Sequence, residues 1–313
     1  MRVVILGSNG YLGSILTANL VKNKQFKVCG IDRLAYKGQE RSLQHLIGET
    51  NFEFKREDVT LWERLPQVVY EADIIFNLAA LVGPICSTYP GMARKINAEF
   101  PKFLVKHLSS NQRLIQPATS SEYGVSGESY CTEESEVKPL SVYATTKSEG
   151  EIACLQHKNS VSLRLATVFG MSPRLRLDLM VQDFAYKLYY DRELCLFEGN
   201  FRRSYVGIRD VINAFNWMVD SQYTGIYNVA NPHLNMTKVD LAERISRILC
   251  VENGISTVVG LTDPDRRDYY VSSNKLLNTG FLFQQSLGDG VQDLVSFFKL
   301  YPNKYDLEYM RNL

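Results

Sequence analysis

The chain opens on Arg2-Val-Val-Ile-Leu6, a β-branched apolar run with no polar alternation. Such a run suits a strand covered on both faces, as in the interior of a parallel sheet. Glycines break it at Gly7, Gly10 and Gly13, and Ser14–Val21 then carries apolar residues at helical spacing. A second strand, Lys27–Ile31, ends at Asp32. Short apolar runs go on alternating with amphipathic stretches. Phe52–Phe54, Asp73–Phe76, Arg113–Gln116 and Val161–Leu165 are predicted strands, with helices near 60–70, 92–109 and 141–157. Strand and helix in turn predict an α/β fold with a doubly wound parallel sheet. From about Ser172 the order loosens into Arg-rich and Tyr-rich segments, with helices near 178–190, 237–251 and 289–300 and a strand at Gly225–Val229. No linker, low-complexity run or internal repeat marks a boundary, so the second region is expected to be smaller and interleaved with the first.

The first thirty-two residues already carry chemistry. A turn without side chains lets backbone N–H groups approach a pyrophosphate, and the helix that follows adds its positive N-terminal end. An acid closing the second strand accepts hydrogen bonds from a ribose diol. Strand, glycine turn, helix, strand and acid in that order predict a dinucleotide site. The spacing is GxxGxxG and not GxGxxG. Asp32 repels a ribose 2′-phosphate, which favours NAD over NADP, while Arg33 beside it is a group that could pair with such a phosphate.

Charge narrows the partners further. Thirty-five Lys plus Arg stand against 34 Asp plus Glu, a formal net charge of +1, which points to no nucleic-acid partner. The six cysteines form no C-x-x-C pair and have no neighbouring histidine, so no metal site or disulfide framework is expected and a reduced, cytoplasmic setting fits. Val3–Leu6 is too short for a signal-peptide core and no apolar run reaches the length of a membrane span, so no membrane partner is expected.

Tyr143 is the one tyrosine with a lysine four residues on, at Lys147, and a helix there puts both side chains on one face. A phenol is a poor base at neutral pH, but a nearby ammonium and a positive nicotinamide ring favour the phenolate.

Over nearly its whole length the chain resembles the extended short-chain dehydrogenase/reductases, in the branch of nucleotide-sugar epimerases, dehydratases and decarboxylases. The residues that carry the resemblance are Gly7, Gly10, Gly13 and Asp32; Asp58-Val59; Asn77-Leu78-Ala79-Ala80; Asn97; Ala118-Thr-Ser-Ser-Glu-Tyr-Gly124; and Tyr143 with Lys147. Downstream, Arg164–Gly170, Arg203–Asp210 and Gly225–Val229 are similar to further family segments.

The resemblance implies a Rossmann-type NAD-binding domain over 1–170, with a return segment at about 204–230, and a substrate domain over 171–203 and 231–313. It implies cofactor contacts at Gly7, Asn9, Gly10, Tyr11, Leu12, Gly13, Asp32, Arg33, Asp58, Val59, Leu78, Ala79, Ala80, Asn97, Tyr143 and Lys147. Catalysis would rest on Thr119, Tyr143 and Lys147. The substrate, a nucleotide-diphosphate sugar, would meet Ser120, Ser121, Glu122, Thr167, Arg174, Arg176, Arg203 and Arg267, the last in the stretch Asp265–Tyr269.

Two departures shape the expected activity. Thr167 stands where many members have an asparagine, and Ser120 and Ser121 stand where dehydratases carry an acid pair, with Glu122 one place late. Dehydration needs a proton delivered to a leaving hydroxyl, so 4-epimerisation through a transient 4-keto sugar is the favoured expectation. Dehydratase, decarboxylase, ketosugar reductase and a catalytically idle relative are the alternatives. A homodimer through helices at 94–109 and 143–157 is also implied; Phe100, Phe103, Leu104 and Leu108 there suit either an interface or the core.

Overall fold

An apolar run that does not alternate must be covered on both sides, and the first strand, β1 (Arg2–Leu6), shows how. Val3 and Ile5 join one packed layer with Leu16, Leu20 and Phe215, while Val4 and Leu6 join the other with Phe100 and Leu104. The computed structural model describes residues 1–127, 130–220, 223–258 and 267–311, and for Asp220 the backbone only.

In chain order β1 is followed by α1 (Tyr11–Lys22), β2 (Lys27–Asp32), β3 (Phe52–Arg56), α2 (Gln67–Tyr70) and β4 (Ile74–Asn77). Next come α3 (Ile85–Thr88), α4 (Pro90–Arg94), α5 (Phe100–His107), β5 (Arg113–Thr119), α6 (Val142–Cys154) and β6 (Ser160–Leu165). The remainder comprises β7 (Thr167–Phe169), α7 (Met180–Tyr190), β8 (Leu194–Phe197), β9 (Arg202–Gly207), α8 (Ile208–Asp220) and β10 (Gly225–Val229). It closes with β11 (Asn235–Thr237), α9 (Lys238–Leu249), β12 (Ile255–Val258), α10 (Asn274–Leu277) and α11 (Leu287–Phe298).

Seven strands form one sheet in the order β10-β6-β5-β4-β1-β2-β3, every neighbouring pair parallel, so the doubly wound α/β expectation holds. The chain winds outward from β1 to β3, then crosses back to β4 on the other side of β1. That reversal opens a crevice beyond the carboxyl ends of β1 and β4, the place where such sheets bind ligands. A second apolar core lies among α7, α9 and α11, through Phe184, Leu188, Leu241, Ile245, Leu294 and Phe298. Small sheets β11-β9-β7 and β12-β8 accompany it.

Several sequence expectations need correction. The helix near 60–70 is a 3-10 turn, Val59–Leu61, then the single turn α2, because Asp58 caps the first and Pro66 begins the second. The helix near 92–109 starts at Pro90 and contains a π turn, Lys95–Glu99, between α4 and α5. Helix α8 was absent from the expectation altogether. On α5, Phe100 and Leu104 are buried in the chain's own core and Phe103 and Leu108 pack against it, so that stripe belongs to the fold. Among the described residues no helix is long and apolar enough to cross a membrane, and no group of His, Cys, Asp and Glu is placed to hold a metal ion.

Candidate active site

The glycine turn is built by contact, residue against residue. Gly7 lies at φ +84°, in the left-handed region, and its N–H donates to Ile31 O at 2.7 Å. A Cβ on Gly13 would sit 2.1 Å from Gly7 O, so only glycine lets α1 start this close to the turn. Gly10 caps α1 without a side chain, and the first turn of the helix holds no acid. The start of α1 therefore lines the crevice through Gly10, Tyr11, Leu12 and Gly13 with no acid in its own first turn, an arrangement that suits a pyrophosphate.

Asp32 ends β2 beside this turn and is almost fully buried. Its carboxylate accepts from the Asn9 N–H at 3.0 Å, the Leu34 N–H at 2.8 Å and Gln39 Nε2 at 3.0 Å. Burial raises its pKa, against those three donors and the Arg33 charge. The Arg33 guanidinium is turned to Asp58, 3.1 Å away, so its charge is spent there. Asp58 also accepts from the Thr60 N–H at 2.9 Å and the Thr60 hydroxyl at 2.7 Å. With an acid at the ribose position and the neighbouring arginine paired, the residues fit NAD.

A cleft of about 750 Å³ runs along the carboxyl ends of the strands. Of the expected cofactor residues, Gly7, Gly10, Tyr11, Leu12, Gly13, Asp32, Arg33, Asp58, Val59, Leu78, Ala79, Ala80, Tyr143 and Lys147 line it. Asn9 and Asn97 do not; both are buried behind the wall. The Asn9 amide donates to Gln39 O. Asn97 clamps Leu81, accepting from its N–H at 2.9 Å and donating to its carbonyl at 2.9 Å, and also donates to the Thr146 hydroxyl of α6 at 3.1 Å. It thereby ties the Leu78–Leu81 wall to the helix that carries Tyr143.

Tyr143 lies in the first turn of α6, whose cap is the Ser141 hydroxyl receiving the Ala144 N–H. Its phenol is pushed up to about 12 by burial, while a hydrogen bond with Thr119 and the charges of Arg176 and Arg267 pull the other way. The Lys147 ammonium donates to Pro117 O of β5 at 2.6 Å, and burial lowers its pKa against the opposing influence of Cys154, Glu122 and Glu151.

Among the expected substrate residues, Ser120, Ser121, Thr167, Arg174, Arg176, Arg203 and Arg267 line the cleft. Arg267 donates to the Ser121 hydroxyl, Arg176 pairs with Asp178, and Arg174 lies over the Tyr36 ring at 4.9 Å. Glu122 is the correction. The 3-10 turn Ser120–Tyr123 buries it fully behind the cleft wall, with Arg164 Nε 3.6 Å from one carboxylate oxygen. Burial and the Glu151 carboxylate hold its pKa well above the ordinary range, against Arg164 and Lys147. Arg164 is already committed to Glu151 through contacts of 2.6 and 3.0 Å. Asp265 and Arg266 lie outside the described residues.

Sequence reasoning missed Tyr36 and Gln39, which line the cofactor end, and Asp178, Asp183 and Phe184, which line the other. Tyr36 and Gln39 follow Asp32 closely in sequence, a usable signal. The rest come from α7 and the segment before it, where none was visible.

The model of the NAD dependent epimerase/dehydratase family matches residues 3–230. The chain belongs to that family. NAD is the cofactor of these epimerases and dehydratases, in keeping with the Asp32 arrangement. A Bacillus subtilis (strain 168) protein named uncharacterized UDP-glucose epimerase YtcB is 28% identical over 284 residues, 83% of either chain. UDP-glucuronic acid decarboxylase 3 of Arabidopsis thaliana is 26% identical over 282 residues, 85% of this chain and 80% of that one. The same family fold appears in UDP-glucuronic acid 4-epimerase from Bacillus cereus, solved with UDP-glucuronic acid and NAD. That structure matches at TM-score 0.85 and 24% identity, over 96% of this chain and 100% of its own.

Proposed function

We propose that this protein interconverts a UDP-sugar and its C4 epimer through a transient 4-keto sugar. The observation that carries the reading is the pairing of a phenol, Tyr143, with hydroxyl neighbours alone on β5 and its following turn. Thr119, Ser120 and Ser121 line the cleft, and the one acid of that turn, Glu122, is buried outside it. The acids at the same end of the cleft, Asp178 and Asp183, are held in ion pairs with Arg176 and with Lys187 and Arg311. Among the described residues no unpaired acid stands at that end to protonate a leaving hydroxyl, which favours epimerisation over dehydration.

Tyr143 takes the proton of the C4 hydroxyl at its phenolic oxygen and returns it when the ketone is reduced. NAD, held by the glycine turn Gly7–Gly13 and by Asp32, would supply the acceptance of the C4 hydride, its return to the opposite face, and a positive ring that favours the phenolate. Thr119, whose hydroxyl donates to Ser121 Oγ at 3.0 Å, lies close enough to the phenol to lower its pKa and is the group placed to orient the sugar hydroxyl. Arg174 and Arg203 suit the diphosphate, since guanidinium groups match phosphate oxygens. Arg176 and Arg267, the cations acting on Tyr143, suit a sugar with its own negative charge, a uronic acid. The relatives' names support UDP as the nucleotide and glucuronic acid as the sugar.

The same charge supports a second reading, because a 4-keto uronate can lose CO₂. Proton NMR of the product from UDP-glucuronic acid separates the two: a C4 epimer with all its carbons supports epimerase, a UDP-pentose supports decarboxylase. Tyr143→Phe is expected to lower kcat at least roughly a thousandfold with NAD still bound; retained turnover would remove the phenol from the mechanism.

A further inference from the structure

The segment between β7 and α7, residues 170–179, has no helix or strand of its own, yet it carries Arg174 and Arg176 into the cleft. Something else must hold its shape: Leu177 is tied to Met310 and Arg311 near the chain's end, and the bonds around Gly170, Ser172 and Arg174 lead to the start of α1. The Tyr11 hydroxyl donates to Gly170 O at 2.9 Å and accepts from Gln182 Nε2 of α7 at 2.9 Å. The Ser172 hydroxyl donates to Tyr11 O at 2.7 Å and stands 3.1 Å from the Ser14 hydroxyl. The Arg174 N–H donates to the same Ser172 oxygen at 3.2 Å. Tyr11, Ser14, Ser172 and Gln182 are all buried, so these bonds are not exchanged for water.

Tyr11 is also the first residue of α1, in the turn whose N–H groups face the pyrophosphate position. One side chain thus grips both ends of the unstructured segment, at Gly170 and at Gln182, while its own backbone belongs to the dinucleotide turn. A shift of that turn on binding moves the anchor of the arginines, and a shift of the arginines pulls on the turn.

We propose that Tyr11, braced by Gln182, is a positioning residue that couples occupancy of the dinucleotide turn to the placement of Arg174 and Arg176. Each ligand then strengthens the other's binding by the same factor, as linkage requires. This rests on the reading of the cleft as a site for a UDP-sugar beside NAD. Its function is to keep the cofactor in place while a ketosugar intermediate is present, when escape of either would end the cycle.

The test uses NAD-loaded protein, with UDP as the probe and NAD release into a trapping enzyme as a second readout. For the unmodified protein, saturating UDP is expected to slow NAD release about fivefold or more. Tyr11→Phe and Gln182→Leu are each expected to raise the Kd for UDP roughly five- to tenfold, the size of one or two neutral hydrogen bonds. UDP should then no longer slow NAD release. The double variant should be no worse than the weaker single, because both changes cut one connection. Ser172→Ala, which lines neither ligand position, should weaken UDP in the same way and serves if Tyr11→Phe does not fold.

A residue that merely stabilised the fold would lower Tm and leave the two ligands' mutual effect intact, and that result overturns the proposal. So does an unchanged Kd for UDP in both variants, or effects that multiply in the double. If UDP binds the unmodified protein normally in those cases, the epimerase reading stands. If UDP does not bind it at all, both fall.

Discussion

The glycine turn and the arginine-bearing segment 170–179 face each other across one cleft, and they are held by opposite means. The turn is fixed by exclusion: a Cβ on Gly13 would overlap Gly7 O, and one on Gly7 would come within 2.9 Å of the Ala79 nitrogen. The segment is fixed by attraction, through hydroxyl bonds to Tyr11 and Ser14, with Tyr11 itself held by the Gln182 amide. Exclusion is all-or-none, because no neighbour can yield 1 Å of backbone. Attraction is graded, and each bond removed shifts the population a little. A family can therefore keep one cofactor while its substrates diverge.

The comparison breaks most sharply at Gly13. Gly13→Ala puts a methyl carbon against backbone, with an expected cost of about 3 kcal/mol or more and near-complete loss of bound NAD, read from the absorbance ratio of the purified protein. A variant that keeps its NAD would show that the turn yields after all.

Arg267→Gln samples the graded side. It is expected to lower kcat/KM roughly tenfold, through loss of a charged contact. It should also move the acidic limb of the rate profile to higher pH. The sign follows from Tyr143: Arg267 lowers the phenol's pKa, the base works deprotonated, and removing the cation makes it harder to ionise. A limb that stays in place would put Arg267 away from the reacting hydroxyl.

The smallest effect belongs to Glu122, which serves neither side. With its folded pKa raised above the unfolded value near 4.5, the folded state holds its proton more tightly. Stability therefore falls as pH rises from about 4.5 toward that raised value. Glu122→Gln should flatten this slope and raise Tm by a few degrees at neutral pH, with activity retained; an unchanged pH slope would mean that the carboxyl is already ionised.

How much was legible follows the same division. Gly7, Gly10, Gly13 and Asp32 were readable because exclusion and a strand-end acid act over a few consecutive residues. Tyr143 and Lys147 were readable as a helical pair, but not that Lys147 donates to Pro117 O, since that contact spans thirty residues. Glu122 was misplaced with Ser120 and Ser121 because adjacency in a 3-10 turn says little about direction. Ile208, Val211, Ile212 and Phe215 of α8 do carry helical spacing in the sequence, a signal that sequence reasoning missed. Tyr11 appeared as one more cofactor contact, its partners at 170 and 182 being too distant to suspect.

The π turn at Lys95–Glu99 bears on how this chain tolerates changes of length. A π turn holds one residue more than an α turn while keeping both flanks in phase. Loss of a residue within 95–99 would leave Phe100 and Leu104 pointing inward and confine the damage to the Asn97 clamp and the packing of Ile96 and Ala98, whereas loss of one residue a turn later would rotate the rest of α5 by about 100° and carry Leu104 out to water. Gly150 guards the same spot from the other side, since a methyl there would sit 2.0 Å from Asn97 O. Evolutionary trimming of this helix would thus be absorbed at one point, and the cleft wall would register it first.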